Sequence, residues 1–244
     1  MRNYIVAFLC FFLAVFTLHC NKKDAPSMNT GIVYKSGNIG AEIPQEKSSE
    51  TNIQQLQNKL KSMSSAELFQ FALDCWNKGR YSDALTAYNK ILETDKNYPD
   101  LYYHLGLLYR DMSMADEAIC AFQTALVQNP DSAESHCNLG YAYRYKGLHN
   151  EAVAEYKKSL ALLPESKTKQ KANIHYNLGF SYFSGGLIDD SINEFKTALA
   201  YKPNDKEIHQ KLGIAYTSKG WLDKAKEEFT LSKEYIASGQ KEPD

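Results

Sequence analysis

The side chains best suited to chemistry in this chain are its histidines and cysteines, and their spacing argues against a shared site. His136, His175 and His209 fall at matching places of a repeated pattern, one per copy. Equivalent residues of stacked helices stand about 8 to 10 Å apart, whereas zinc–nitrogen bonds are about 2 Å, so three such histidines cannot close on one ion. They are expected to pack, in place of an aromatic residue. Cys75, Cys120 and Cys137 are spread over three copies with no Cys-x-x-Cys pair, which suits small apolar core residues better than ligands. No metal and no cofactor are expected. Gly-x-Ser-x-Gly, His-Glu-x-x-His, a phosphate-cradling Gly-rich loop and a dinucleotide fingerprint are all missing. The chain therefore reads as a binding protein and not as an enzyme.

One cysteine stands apart. Arg2 precedes an unbroken apolar run from Tyr4 to Leu18, and a polar stretch begins at Asn21. A charged start followed by an apolar segment shorter than the roughly 20 residues of a spanning helix is the pattern of a secretory signal peptide, here residues 1–20. Cys20, directly after that run and before Asn21-Lys22-Lys23, resembles the acceptor cysteine of a bacterial lipoprotein, which implies diacylation and a new first residue at Cys20. His19 and Thr17 depart from the usual small and aliphatic residues at those places. An uncleaved signal anchor, or ordinary cleavage with Cys20 incidental, are the alternatives. The expected location is outside the cytoplasm, anchored to a membrane of a bacterial cell envelope. Residues 21–63 are poor in apolar side chains and read as a flexible polar tether, with a coil span of roughly 35 to 40 Å. Its stretch from Thr51 to Leu60 has some helical character and is a candidate cap for the first copy of the repeated pattern.

What positions these residues is a pattern that recurs with a 34-residue period: Leu105-Gly106-x-x-Tyr109, Leu139-Gly140-x-x-Tyr143, Leu178-Gly179-x-x-Tyr182 and Leu212-Gly213-x-x-Tyr216. Twelve residues after each Gly comes Ala118, Ala152, Ser191 or Ala225, and four later an aromatic, Phe122, Tyr156, Phe195 or Phe229. Pro130, Pro164 and Pro203 close three copies. Residues four apart share a helix face, so each copy reads as two antiparallel helices, A and B, with an apolar seam that only stacking can bury. The glycine is expected where helix A touches the small residue on helix B. Ser82, Asp116, Asn150, Asp189 and Asp223 fall near the start of helix B and are expected to cap its amides. Proline stops helix B.

On these residues the chain resembles the tetratricopeptide repeat (TPR) family, and in layout its bacterial TPR lipoproteins. The resemblance implies an all-α TPR superhelical solenoid of about five helix-turn-helix repeats over residues 64–237. The copies are about 65–98, 99–132, 133–166, 172–205 and 206–237, followed by a polar tail, 238–244. The first is degenerate, with Phe71-Ala72-x-x-Cys75, but keeps Gly79, Tyr81, Ala84 and Tyr88 in step. Five extra residues within Glu165 to Lys171 separate the third and fourth copies and are expected to lengthen helix A backward.

The family also implies a concave groove lined by helix A places 2, 5, 6, 9, 12 and 13. Those places hold Phe69, Leu73 and Trp76, then Tyr103, His104, Leu107 and Arg110, then Asn138, Tyr141, Arg144 and Tyr145. Tyr176, Asn177, Phe180 and Phe183 occupy them in the fourth copy. Rings beyond those of the seam point to a protein or peptide partner, with Asn138 and Asn177 reading its backbone. Rings packed between neighbouring A helices would be the structural alternative. The clamp for acidic chaperone tails is not reproduced, because Phe69, Leu73, His104, Glu134 and Asn138 occupy its places. A formal net charge of −1 offers no basic surface for phosphates, so nucleic acid is not an expected partner. The function implied is a membrane-anchored scaffold in assembly of an envelope complex. The alternatives are a structural protein that self-associates through its C-terminal helix, as a homo-oligomer, and an accessory regulator of an envelope enzyme.

Overall fold

The structure, a computed structural model, describes residues 56 and 58–237, with side chains placed through Lys233. The signal-like segment with Cys20, the tether up to residue 55 and the 238–244 tail lie outside the described residues. Within them the chain forms five helix pairs: α1 (Ser65–Asn77) with α2 (Tyr81–Thr94), α3 (Leu101–Asp111) with α4 (Ala115–Gln128), and α5 (Ala133–Tyr145) with α6 (His149–Leu162). Then come α7 (Thr168–Ser184) with α8 (Ile188–Tyr201), and α9 (Lys206–Ser218) with α10 (Leu222–Ala237). The described residues contain no strand. At 17 residues against 13 for α5, α7 has taken up the insert as helix.

Different chemistry starts the two kinds of helix. Three of the A helices are capped by side chains: the Ser64 hydroxyl accepts from the Glu67 amide while the Glu67 carboxylate accepts from the Ser64 amide, and Ser132 and Asp205 cap α5 and α9, whereas Asp100 and Lys167 before α3 and α7 make no side-chain cap. Helix B has no such cap. Arg80, Met114, Leu148 and Leu187 stand at its N-cap with no side-chain hydrogen bond, so Ser82, Asp116, Asn150 and Asp189 lie inside the first turn and are not caps. The turn before helix B is the reason. The amides of Arg80, Met114, Leu148, Leu187 and Trp221 each return to a carbonyl five residues back, near the end of helix A. That ring of hydrogen bonds needs a left-handed residue, supplied by Gly79, Gly147, Gly186 and Gly220, and by Ser113 at φ 60° in the second repeat. Asp116 instead pairs with Lys146, and Asp189 with Lys219 at 2.9 Å, each lysine lying one repeat further on.

The seam also differs from expectation in its contact. A Cβ on Gly106 would sit 2.5 Å from the Phe122 ring, and one on Gly140 would sit 2.9 Å from the Tyr156 ring and 3.2 Å from the Ala152 carbonyl. The space a glycine vacates is filled by the helix B aromatic, whose ring is larger than the gap an alanine alone would leave. Phe122, Tyr156 and Phe195 are fully buried there.

Among the described residues burial is segmented into four clusters. The largest spans the first two pairs, where Leu68, Tyr88, Ile91 and Leu101 pack with Leu60, and Leu56 and Met63 lean against it. The helical stretch before α1 thus closes the open end of the first repeat. The other clusters lie at the later junctions, around Phe122 with Leu139, Tyr156 with Leu178, and Phe195 with Leu212.

Candidate functional site

The A helices carry every residue read as groove-lining, and they link each repeat to the next. Between the first and second repeats the Trp76 indole donates to Asp111 at 2.9 Å, and its ring meets His104 edge-on. Between the second and third, Arg110 donates to the Asn138 carboxamide oxygen at 2.8 Å and to Asp111 at 2.8 Å. Between the third and fourth, the Arg144 guanidinium stacks on Phe180 with its carbon 4.7 Å from the ring centre, and on its own helix it covers Tyr141 at 4.8 Å. Between the fourth and fifth, the Tyr176 hydroxyl donates to Glu207 at 2.6 Å, and the Lys211 ammonium lies 5.5 Å from Phe180. Burial pushes the Tyr176 phenol up, and the Glu207 carboxylate adds to it.

The rings are therefore less open than family places alone suggest. Phe69 packs on Tyr88, Tyr98 and His104, and Phe69 and Trp76 lean on the first core. Tyr103 leans on the second junction and Tyr176, Phe180 and Phe183 on the last. Adjacent A helices lie close enough for a ring at one groove place to cover its neighbour's flank. Tyr141 and Tyr145 are the open ones, 36% and 56% exposed. Asn138 is also engaged: its nitrogen donates to the Glu134 carbonyl and its oxygen accepts from Arg110. Asn177 donates to the Asn173 carbonyl, and its oxygen has no protein donor among the described residues.

At the start of α3 and α5 the same face opens into a cavity of about 680 Å³, lined by Asp100, Tyr103, His104, Gln128, Glu134 and Ser135 among others. Burial lowers the pKa of His104, and its Nδ1 is buried with no hydrogen-bond partner. Burial also lifts the Cys137 thiol to about 11, which leaves it protonated and unreactive, and Cys75 is raised for the same reason. Cys75, Cys120 and Cys137 form no disulfide.

The histidines do more than fill space. Nδ1 of His136, His175 and His209 lies 2.6 Å from Glu155, Glu194 and Glu228 on the paired helix B. Nε2 of His136 and His209 faces the carbonyls of Pro130 and Pro203 in the preceding repeat. Among the described residues no group of three His, Cys, Asp or Glu side chains converges on a metal position.

Other residues of this face were not reached from the sequence. Glu207 and Lys211 hold places 2 and 6 of the fifth repeat and were reachable by carrying the groove places one copy further. Asp111 holds place 13 of the second, where its pairing with Trp76 required the neighbouring helix.

Family models described as TPR repeat match residues 75–113, 115–147 and 181–220, and one described as Tetratricopeptide repeat matches 133–166. No curated protein matches the sequence. Among solved structures, a crystal structure of MamA is 28% identical over 68% of this chain and 95% of that one, with a TM-score of 0.63. A second crystal structure of MamA is 26% identical over 74% and 97%, with a TM-score of 0.65. MamA 41-end from Desulfovibrio magneticus RS-1, at 20% identity over 73% and 99%, has a TM-score of 0.67 and shows the shared fold alone.

Proposed function

Because this chain belongs to the tetratricopeptide repeat family, whose repeats scaffold contacts between proteins, we propose that its concave A-helix face binds a peptide or protein segment. The observation that carries the reading is the exposure of Tyr141 and Tyr145 on α5, at the middle of a face otherwise knitted together by polar and ring contacts. Rigid amphipathic rings bury much area at small entropic cost, so an open pair suits a partner better than solvent. In this reading the half-buried rings, Phe69, Trp76, Tyr103, Tyr176, Phe180 and Phe183, hold the groove's shape and lend it their outer edges. Arg110 and Asn138 brace it, and Asn177 offers its oxygen to a partner's backbone amide. The protein acts as a scaffold and not as a catalyst.

We further propose that the scaffold works at a bacterial envelope, exported and anchored to a membrane through a lipid on Cys20, with the polar tether giving it reach. The support is the sequence pattern around Cys20. No described helix is long and apolar enough to cross a membrane. A cross-linked pull-down from native membranes with the full chain tests both readings. Tyr141→Ala with Phe180→Ala is expected to lose the captured partner while keeping helix content, with only a modest fall in thermal midpoint from the loss of the half-buried Phe180 ring. Retention of the same partner by that variant overturns the groove.

A second reading rests on the last helix. Leu222 is 66% exposed and Trp221 42% exposed, at the start of α10, the last described helix. We propose this end as the contact for a second copy of the chain.

A further inference from the structure

We infer that His136 and His209 are carried as doubly protonated imidazolium rings, which act as proton-loaded latches across the second-to-third and fourth-to-fifth repeat junctions and release as pH rises. The device does not depend on what the groove binds. Nε2 of His136 faces the Pro130 carbonyl at 3.0 Å, and Nε2 of His209 faces the Pro203 carbonyl at 2.9 Å. A carbonyl oxygen only accepts, so Nε2 bears a proton in both rings. Nδ1 lies 2.6 Å from Glu155 in the one and from Glu228 in the other. An ionised carboxylate also only accepts, so a contact that short needs a second proton between nitrogen and oxygen. Imidazole is the stronger base of the two, and the proton belongs to the ring.

His175 supplies the contrast. Its Nδ1 meets Glu194 at the same 2.6 Å, but the insert ahead of it has carried Pro164 away, and Nε2 has no carbonyl acceptor among the described residues. A single proton on Nδ1 satisfies that ring. In His136 or His209 no neutral form serves both partners, since a lone pair must then face either the carboxylate or the carbonyl. The bond to the carboxylate is the stronger, so a ring that loses one proton keeps Glu155 or Glu228 and lets go of the proline carbonyl. Because Pro130 and Pro203 belong to the preceding repeats, what fails is the tie between repeats.

The surroundings leave the proton in charge. His136 and His209 are 8% and 6% exposed, so water screens a mismatch there only weakly. Lys158 takes Oε1 of Glu155 at 2.8 Å and leaves Oε2 to the ring, while Asp131 precedes α5 and Glu134 on α5 lines the cavity. At the later junction Lys202 and Asp205 pair with each other at 3.8 Å ahead of α9, and Glu207 is taken by Tyr176. Counting protons gives the sign. A free imidazole gives up its proton at about pH 6.5 and a free glutamic acid at about 4.3. Above about pH 6.5 the unfolded chain holds fewer protons than the folded one, so this stabilisation is complete below that pH and is lost as pH rises until the rings let go.

Nitrogen NMR of the full chain labelled at histidine, recorded about one pH unit above the value of a free imidazole, tests the protonation directly. His136→Gln and His209→Gln assign the two signals by their loss. Both nitrogens of each ring are expected to carry hydrogen, while His104, whose burial lowers its pKa, keeps one bare nitrogen as an internal control. A bare nitrogen in either His136 or His209 at that pH overturns the inference. Urea unfolding then reads the latch. The unfolding constant of wild type should rise about tenfold per pH unit for each ring while the folded chain alone stays protonated. Glu155→Gln with Glu228→Gln offers an amide N–H to Nδ1, so that a neutral ring serves both partners, and this variant should stay folded and lose that pH dependence. Equal pH slopes in wild type and variant overturn the latch. Should the variant fail to fold, the protonation of the wild-type rings decides alone.

Discussion

Nδ1 of His136 lies 2.6 Å from a carboxylate oxygen of Glu155, and the far side of the same ring faces the Pro130 carbonyl at 3.0 Å. One side chain thus ties helix A to its own helix B and to the end of the repeat before it. His136→Ala breaks both ties and leaves Glu155 buried against Lys158 alone, so it should cost about 1 to 3 kcal/mol in urea unfolding. Peptide binding by the fraction that remains folded should be unchanged. An unaltered midpoint would mean the pair adds nothing that packing does not.

The two uses of glycine make opposite predictions. Gly140→Ala places a methyl group 2.9 Å from the Tyr156 ring and 3.2 Å from a backbone carbonyl that cannot swing aside, and should cost about 1 to 3 kcal/mol. Ser113 already holds a left-handed turn at φ 60° that glycine fills in the other repeats. Ser113→Gly should therefore gain about 1 kcal/mol. A thermal melt of each variant decides, and a neutral Gly140→Ala would contradict the helix pairing.

Groove and seam should separate cleanly in paired measurements. Phe122 is fully buried, and Phe122→Ala should cost about 3 to 5 kcal/mol of stability. Tyr141, 36% exposed, should shift stability by less than about 1 kcal/mol when cut to alanine, while Tyr141→Ala with Phe180→Ala weakens partner binding by about 2 to 4 kcal/mol. Equal unfolding of both would make Tyr141 a core residue.

Anchoring is tested by fractionation. Cys20→Ser should release the protein from membranes and abolish labelling by a fatty-acid analogue. A variant that stays bound, with wild type unlabelled, makes the apolar start a signal anchor.

Self-association at the last helix is tested by light scattering across a concentration series. Wild type should gain mass with concentration, and Leu222→Lys should stay monomeric while binding partners normally. Constant mass in both removes the second reading.

The repeat was legible because its rule is local. Leu139, Gly140, Tyr143, Ala152 and Tyr156 must recur together for two helices to pair, and their spacing alone implies the pair. That the ring of Tyr156 closes the glycine gap beside the Ala152 carbonyl was not legible, since both residues lie on the same helix face and only packing shows how they share it. The histidine links left a trace: His136 and Glu155, His175 and Glu194, and His209 and Glu228 keep one spacing, 19 residues, in three repeats. The Asp116–Lys146 and Asp189–Lys219 pairs keep another, 30 residues. Arg144 was assigned to the face from its place in the repeat, but its stacking on Phe180 and the approach of Lys211 join three helices, and no single repeat encodes that meeting.

The segmented core has a consequence for synthesis. The largest cluster, sealed by Leu60, lies in the first two repeats, while α10 buries little beyond Ala225 and Ser232 among its described side chains. A ribosome releases the chain in that order. The emerging polypeptide can complete its sturdiest unit before the later copies exist, and each newcomer then docks on a finished template. Such vectorial growth spares the nascent chain a search among distant contacts.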